Sequence, residues 1–223
     1  MTEEITKQVL NIPSPEFKRA RITIRGRELI CARAPDSIKP PPGSKKRGRK
    51  TEEDAEAATG SPEDQWQKSV YMMPDGRFGF PSAAIVRCSI DTANTFFPSP
   101  TNPKYGIRRE VVSGAIDIIG DDLLPLTFEG DPVKRHDIGR NKRGMLIDVY
   151  RQSFRNWSLT FVIDFDPAIL PMEKLIAILK QAGFSTGIGA WRPQRGGKRG
   201  RFSVDPEIPE LQWTPDGEVA DAA

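Results

Sequence analysis

Cysteine, histidine and long apolar runs are what this sequence has least of. Its 223 residues include two cysteines, Cys31 and Cys88, and one histidine, His136. Two isolated thiols form neither a disulfide framework nor a zinc pattern, and both read as buried thiols in a reducing compartment. A Ser-His-Asp or Cys-His arrangement would have to use His136. That residue stands between Arg135 and Asp137 with no nucleophile motif beside it, so it reads as a surface histidine in a basic stretch. HExxH, paired Cys-x-x-Cys and GxxxxGK[ST] are all missing, which removes the common zinc and P-loop signatures. No cofactor is expected. No apolar run approaches the roughly 18 residues needed to span a bilayer. The opening Met1-Thr2-Glu3-Glu4-Ile5 lacks the basic and then apolar blocks of a secretory signal. A cytoplasmic protein without a membrane partner is therefore expected.

Proline and glycine are plentiful, at 20 and 19 residues, and hydrophobic residues make up only 37 % of the chain. That balance fits one packed domain with long loops. The net charge is only +3, but the charges are segregated. Residues 51–64 carry Glu52, Glu53, Asp54, Glu56, Glu63 and Asp64 and no cation. Residues 192–201 carry Arg192, Arg195, Lys198, Arg199 and Arg201 and no acid. A second basic stretch holds Lys134, Arg135, Arg140, Lys142, Arg143, Arg151 and Arg155 against Asp137 and Asp148. Local fields of this kind, more than net charge, draw polyanions to a surface.

Along the chain, residues 1–16 read as a polar arm and 17–34 as a strand, where Ile22 and Ile24 alternate with Arg21, Thr23 and Arg25. Residues 36–66 have a proline cluster, the basic run Lys45–Lys50 and then acids, and are expected to be a disordered insertion. Pro74-Asp75-Gly76 marks a hairpin turn within 69–80. Ser82 is the expected N-cap of a helix over 82–95, with Ile85, Cys88 and Thr92 facing inward. Strands are expected at 110–119 and 123–128 around Gly120-Asp121-Asp122, and 129–148 reads as irregular. The alternation Trp157, Leu159, Phe161, Ile163, Phe165 predicts a strand ended by Asp166-Pro167. Pro171 opens a helix over 171–182 whose stop is Gly183. A strand over 201–204 closes the domain, and 205–223 is a tail. The order is βαββαβ, a ferredoxin-like α+β core with decorated loops.

The segment from Gly187 to Gly200 concentrates the chemistry. Gly187-Ile188-Gly189 imitates part of a dinucleotide fingerprint, but it follows a helix where that motif must open one. A nucleic-acid reading uses the whole segment. Gly187, Gly189, Gly196, Gly197 and Gly200 permit close backbone approach to phosphates. The cations Arg192 to Arg201 neutralise them. Trp191 offers a face on which a base can stack. The alternative is a surface loop whose Trp191 tucks into the core. Asp121, Asp122 and Asp164 are the acids available to a metal-dependent nuclease.

Ile22-Thr23-Ile24-Arg25-Gly26, Pro74-Asp75-Gly76, Phe80-Pro81-Ser82-Ala83, Ala182-Gly183-Phe184 and Gly187-Ile188-Gly189-Ala190-Trp191-Arg192-Pro193 together resemble a group of phage and prophage proteins. That group is similar to the RAMP superfamily of CRISPR RNA-binding proteins. The resemblance covers residues 18–34 and 69–204. It implies a ferredoxin-like fold and a C-terminal glycine-rich loop contacting RNA, formed here by the five glycines from Gly187 to Gly200. Members that process RNA often use a histidine, and the first helix here has none, so the resemblance implies binding without cleavage. It also implies a host-cytoplasm setting and assembly along the strand, as a homo-oligomer or within a larger ribonucleoprotein. The expected function is non-catalytic binding of single strands, RNA ahead of DNA, by Gly187, Gly189, Trp191, Arg192, Arg195, Gly196, Gly197, Lys198, Arg199 and Arg201. Arg135, Arg140, Lys142, Arg143, Arg151 and Arg155 are expected to assist. A phage single-stranded-DNA protein, a metal-dependent nuclease and a structural or assembly protein are the alternatives.

Overall fold

The computed structural model describes residues 16–31, 61–99, 101–140, 146–205 and 210–211. The described chain is a mixed α/β structure with a mostly antiparallel sheet. Its elements are β1 (Lys18–Ile30), α1 (Pro62–Lys68), β2 (Tyr71–Met72), β3 (Phe78–Pro81), α2 (Ser82–Phe96), α3 (Arg109–Ala115), β4 (Ile116–Ile119), β5 (Leu123–Arg140), β6 (Leu146–Phe165), α4 (Met172–Gln181), β7 (Ser203–Val204) and β8 (Glu210–Leu211).

The central strand β6 is also the most regularly patterned. Trp157, Leu159, Phe161, Ile163 and Phe165 are buried on one face. One edge of β6 pairs with β1, from Lys18 against Phe165 to Ile30 against Ser153. Its other edge is shared by β4, at Ile118 against Ile163, and by β5, at Leu126 against Leu159. The outer edge of β1 takes β7, with Ile24 opposite Val204, and β8, with Ala20 opposite Glu210. Ala20, Ile22 and Ile24 join Leu175, Ile178 and Leu179 of α4 and Ile85 and Cys88 of α2 in one apolar cluster. At about 25 cal/mol per Å² of apolar surface removed from water, such side chains contribute on the order of 1.5–3 kcal/mol each. On the opposite face of β1, Arg19 forms a two-bond ion pair with Asp164, at 2.6 and 2.8 Å.

Several elements differ from expectation. Residues 36–60 of the expected insertion lie outside the described residues, but 62–68 form α1. Ser61 caps this helix by accepting from the Asp64 N–H while the Asp64 carboxylate accepts from the Ser61 N–H, a reciprocal pair that outweighs the acidic composition. The 110–115 stretch is the helix α3, not a strand. Val112 and Ala115, three apart, are its buried positions, and the adjacent Val111-Val112 imitates a β-rich run. Pro81, not Ser82, occupies the N-cap position of α2, and the Ser82 N–H donates to the Asp122 carbonyl.

The largest difference lies at 129–148, where β5 and β6 continue as a long paired arm, not an irregular loop. Residues 133–139 and 146–152 include no fully buried position, and charged residues stand on both faces, so no apolar alternation marks these strands. The arm is held instead by cross-strand and helix contacts. His136 stacks on its partner Tyr150, with centroids 4.6 Å apart. Trp66 of α1 meets Tyr150 edge-on and donates its indole N–H to the Arg135 carbonyl at 2.8 Å.

Gly183 does not stop α4. The chain adds a wide turn over Ala182–Thr186, closed by the Gly187 N–H donating to the Ala182 carbonyl at 2.8 Å, and Gly187 takes the left-handed conformation (φ 68°) that ends it. Gly183 serves close approach: a side chain there would strike the Phe202 carbonyl.

Candidate functional site

The segment Gly187–Arg201 folds back across the end of β1 as a tightly bonded loop. The Ala190 N–H donates to the Ile30 carbonyl, the Gly200 N–H to the Glu28 carbonyl, and the Ile188 N–H to the Gly200 carbonyl. The N–H groups of Gly187, Gly196, Gly197 and Gly200 are all engaged inside the protein. A Cβ on Gly200 would strike the Ile188 carbonyl and one on Gly197 the Trp191 carbonyl. Gly189 lies against the Ile30 carbonyl, 2.6 Å from where its Cβ would be. These glycines fold the loop tightly onto β1, so its side chains are what face outward.

A groove of about 690 Å³ lies between β1, β6 and this loop. Among the described residues its charged lining is Arg25 and Arg27 of β1, Arg155 of β6, and Lys198, Arg199 and Arg201 of the loop, against the single carboxylate of Glu28. Gly26 makes the junction possible. A side chain there would lie 2.6 Å from the buried Trp157 ring and strike the Arg201 carbonyl. Asn156, with φ 42°, twists β6 at the groove's edge, which turns Arg155 outward beside buried Phe154 and Trp157.

The six cations are not equivalent. Arg199 is paired with Glu28, whose other oxygen takes Arg135 at 3.3 Å. Arg25 reaches Asp205 at 3.4 Å. Arg201 donates to the Phe184 carbonyl and lies 4.6 Å over the Phe184 ring. Among the described residues, the side chains of Arg27, Arg155 and Lys198 have neither a carboxylate nor a carbonyl partner. Unopposed like charges on one groove raise its potential and favour a polyanion.

The remaining residues expected from sequence are dispersed around this groove. Trp191 stands beyond Lys198 and Arg199 in an adjoining concavity of about 370 Å³ that Gly196, Gly197, Arg135 and Ile138 also line. It is 37 % exposed and held at φ 54°, a left-handed conformation that costs a bulky residue on the order of 1–3 kcal/mol. The Arg199 N–H on the Trp191 carbonyl helps to hold it there. Arg192 turns the other way, donating to the Gly189 carbonyl and to Gln194, which bonds Asp91 of α2. Together with Gly187 and Gly189 it borders a separate cavity beside α2. Arg195 is exposed on the short Pro193–Arg195 turn.

In the arm, Arg135 bonds both Asp137 and Glu28, and the hydrogen bonds to the Asp137 carboxylate raise its guanidinium above the ordinary value. Arg151, opposite it, is pushed down by burial while Asp137 opposes that shift. Of the described residues of the second basic stretch, Arg155 joins the groove. Arg140 ends β5 at the far end of the arm, and Lys142 and Arg143 lie outside the described residues. His136 bonds Asp148 at 2.6 Å. Asp164 is committed to Arg19, while Asp121 and Asp122 sit at the turn before β5.

Arg25, Arg27, Asn156 and Phe184 were not expected from the sequence as site residues. The usable signal was Arg25-Gly26-Arg27, two cations on one face of a strand around a glycine that admits close approach.

No family model matches the chain, and no curated protein sequence matches it. Among solved structures, the crystal structure of Cmr6 from Pyrococcus furiosus aligns over 86 % of this chain and 99 % of its own, at 10 % identity and a TM-score of 0.39. That likeness is too distant to assign a fold or a function.

Proposed function

We propose that this chain binds single-stranded nucleic acid without catalysis, RNA ahead of DNA, in the groove between β1, β6 and the glycine-rich loop. The observation that carries the reading is the lining: six cationic side chains facing one carboxylate, with three of the six unpaired. Phosphates satisfy these cations and release counterions, which supplies sequence-independent affinity. Trp191 is held partly exposed at an energetic cost beside Lys198 and Arg199 of that lining, and stacking a base is a use for an exposed ring so placed. A duplex keeps its bases stacked inside and offers none to such a ring.

The strand order β7-β1-β6-β4, with α2 and α4 as the helical connections, supports a ferredoxin-like, RAMP-type arrangement of the core. The preference for RNA rests on the sequence resemblance. The groove itself recognises phosphate and flat bases, which both nucleic acids share.

The test is fluorescence anisotropy with labelled oligouridine RNA, oligothymidine DNA and a hairpin duplex, with and without magnesium. Binding of single strands over duplex, indifferent to magnesium and leaving the oligonucleotide intact, is the expected result. Equal binding of duplex would refute the single-strand reading. Magnesium-dependent cleavage would put a nuclease in its place.

A further inference from the structure

Phe184 is a large apolar side chain left outside the core. The apolar stripe of α4 runs through Leu175, Ile178, Leu179 and Ala182, all fully buried. The turn over Ala182–Thr186 then buries Gly183 and Thr186 and leaves Phe184 outside, 69 % exposed. Lone exposed apolar residues are ordinary, but this one lines the cationic groove. The Arg201 guanidinium lies 4.6 Å over the ring, so an aromatic face and a planar cation form a layered pair at the groove wall.

Phe184 and Trp191 occupy two concavities that share Lys198 and Arg199 in their walls. The two rings therefore bracket a common cationic stretch.

We infer that Phe184, layered on Arg201, is a second base-stacking platform, and that a single strand crosses the loop over Lys198 and Arg199 with one base on Phe184 and another on Trp191. This rests on the nucleic-acid reading above and deepens it, because it names the second platform and the course of the strand. Stacking on a ring is sequence-tolerant, since every base has a π face. Two platforms separated by phosphate-binding cations make affinity depend on oligonucleotide length, with a step where the chain first reaches both.

The experiment uses the full chain and fluorescein-labelled oligouridines of two to twelve nucleotides. Phe184→Ala should weaken binding of the twelve-nucleotide probe by about 5- to 150-fold, the range for losing one base–aromatic stack. The salt slope and melting temperature should stay unchanged, because the ring is exposed and uncharged. Phe184→Trp should restore affinity. Adding Trp191→Ala should multiply the loss on the long probe, whereas on probes too short to reach both rings each single variant should lose little, because the other ring still takes the base, and only the double variant should lose the stack. Wild-type affinity in Phe184→Ala beside impaired Trp191→Ala would overturn the second platform while leaving the nucleic-acid reading standing. A change of oligomeric state in Phe184→Ala at unchanged affinity would also overturn it and assign the ring to protein contacts. Failure of the wild type to bind any probe would refute the parent reading, and the platform with it.

Discussion

The three unpaired groove cations offer the sharpest test of how this surface works. Arg27, Arg155 and Lys198 are exposed and have no carboxylate partner among the described residues. Replacing all three with alanine orphans no acid and opens no cavity, so stability should stay within about 0.5 kcal/mol of the parent. The effect on binding should be electrostatic. Each phosphate neutralised on a single strand contributes roughly 0.7 to the slope of log affinity against log salt, so losing three contacts flattens it by about 2. If all six groove cations engage phosphates, the slope is about −4, and affinity falls ~300-fold between 50 and 200 mM salt; for the triple variant the slope is about −2 and the fall ~20-fold. The assay is anisotropy of a labelled twelve-nucleotide oligouridine at four sodium chloride concentrations, with thermal melting as the control. An unchanged slope in a folded triple variant would refute the groove as the binding surface, whatever its absolute affinity.

Other outcomes follow from the same structure. Trp157→Ala should cost on the order of 3–5 kcal/mol in urea unfolding, because the indole is fully buried against Gly26; Trp191→Ala should leave the unfolding midpoint nearly in place and weaken binding instead. Arg19→Ala should destabilise by about 3–5 kcal/mol, since it strips a largely buried carboxylate, Asp164, of both its bonds; a loss under about 1 kcal/mol in urea titration would show that the carboxylate finds water. Gly200→Ala forces a side chain into the Ile188 carbonyl at φ 65°, so loop closure and binding should fail together, read by melting and anisotropy on one sample. Burial pushes the thiols of Cys31 and Cys88 up to about 12 from the ordinary 9.0. Above pH 9 the unfolded chain releases these protons and the folded one keeps them, so stability should fall as pH rises from 9 toward 12. The same thiols should react with a disulfide reagent only on unfolding; rapid labelling of the native protein at pH 8 would contradict their burial.

The elements legible from sequence were those whose pattern is enforced by one buried face. The alternation along 157–165, the isoleucines of β1, the Pro74-Asp75-Gly76 turn and the helical stripes of α2 and α4 are each local consequences of period and turn chemistry. The arm formed by β5 and β6 was not legible, because its strands are charged on both sides and are held by Trp66, Tyr150 and His136, which lie far apart in the chain. The charge of the glycine-rich loop was readable, but its meaning was not. Sequence alone offered its glycines for close backbone approach to phosphate, whereas the fold engages the N–H groups of Gly187, Gly196, Gly197 and Gly200 internally and turns Arg192 toward α2. Which cations share a surface was settled by the pairing of β7 with β1, which sets Arg25 opposite Ser203 and thereby brings Arg25 and Arg27 beside Lys198, Arg199 and Arg201. A strand's alternation decides only that these side chains point away from the core. What they face depends on strand pairings between residues more than 170 positions apart, which no local pattern encodes.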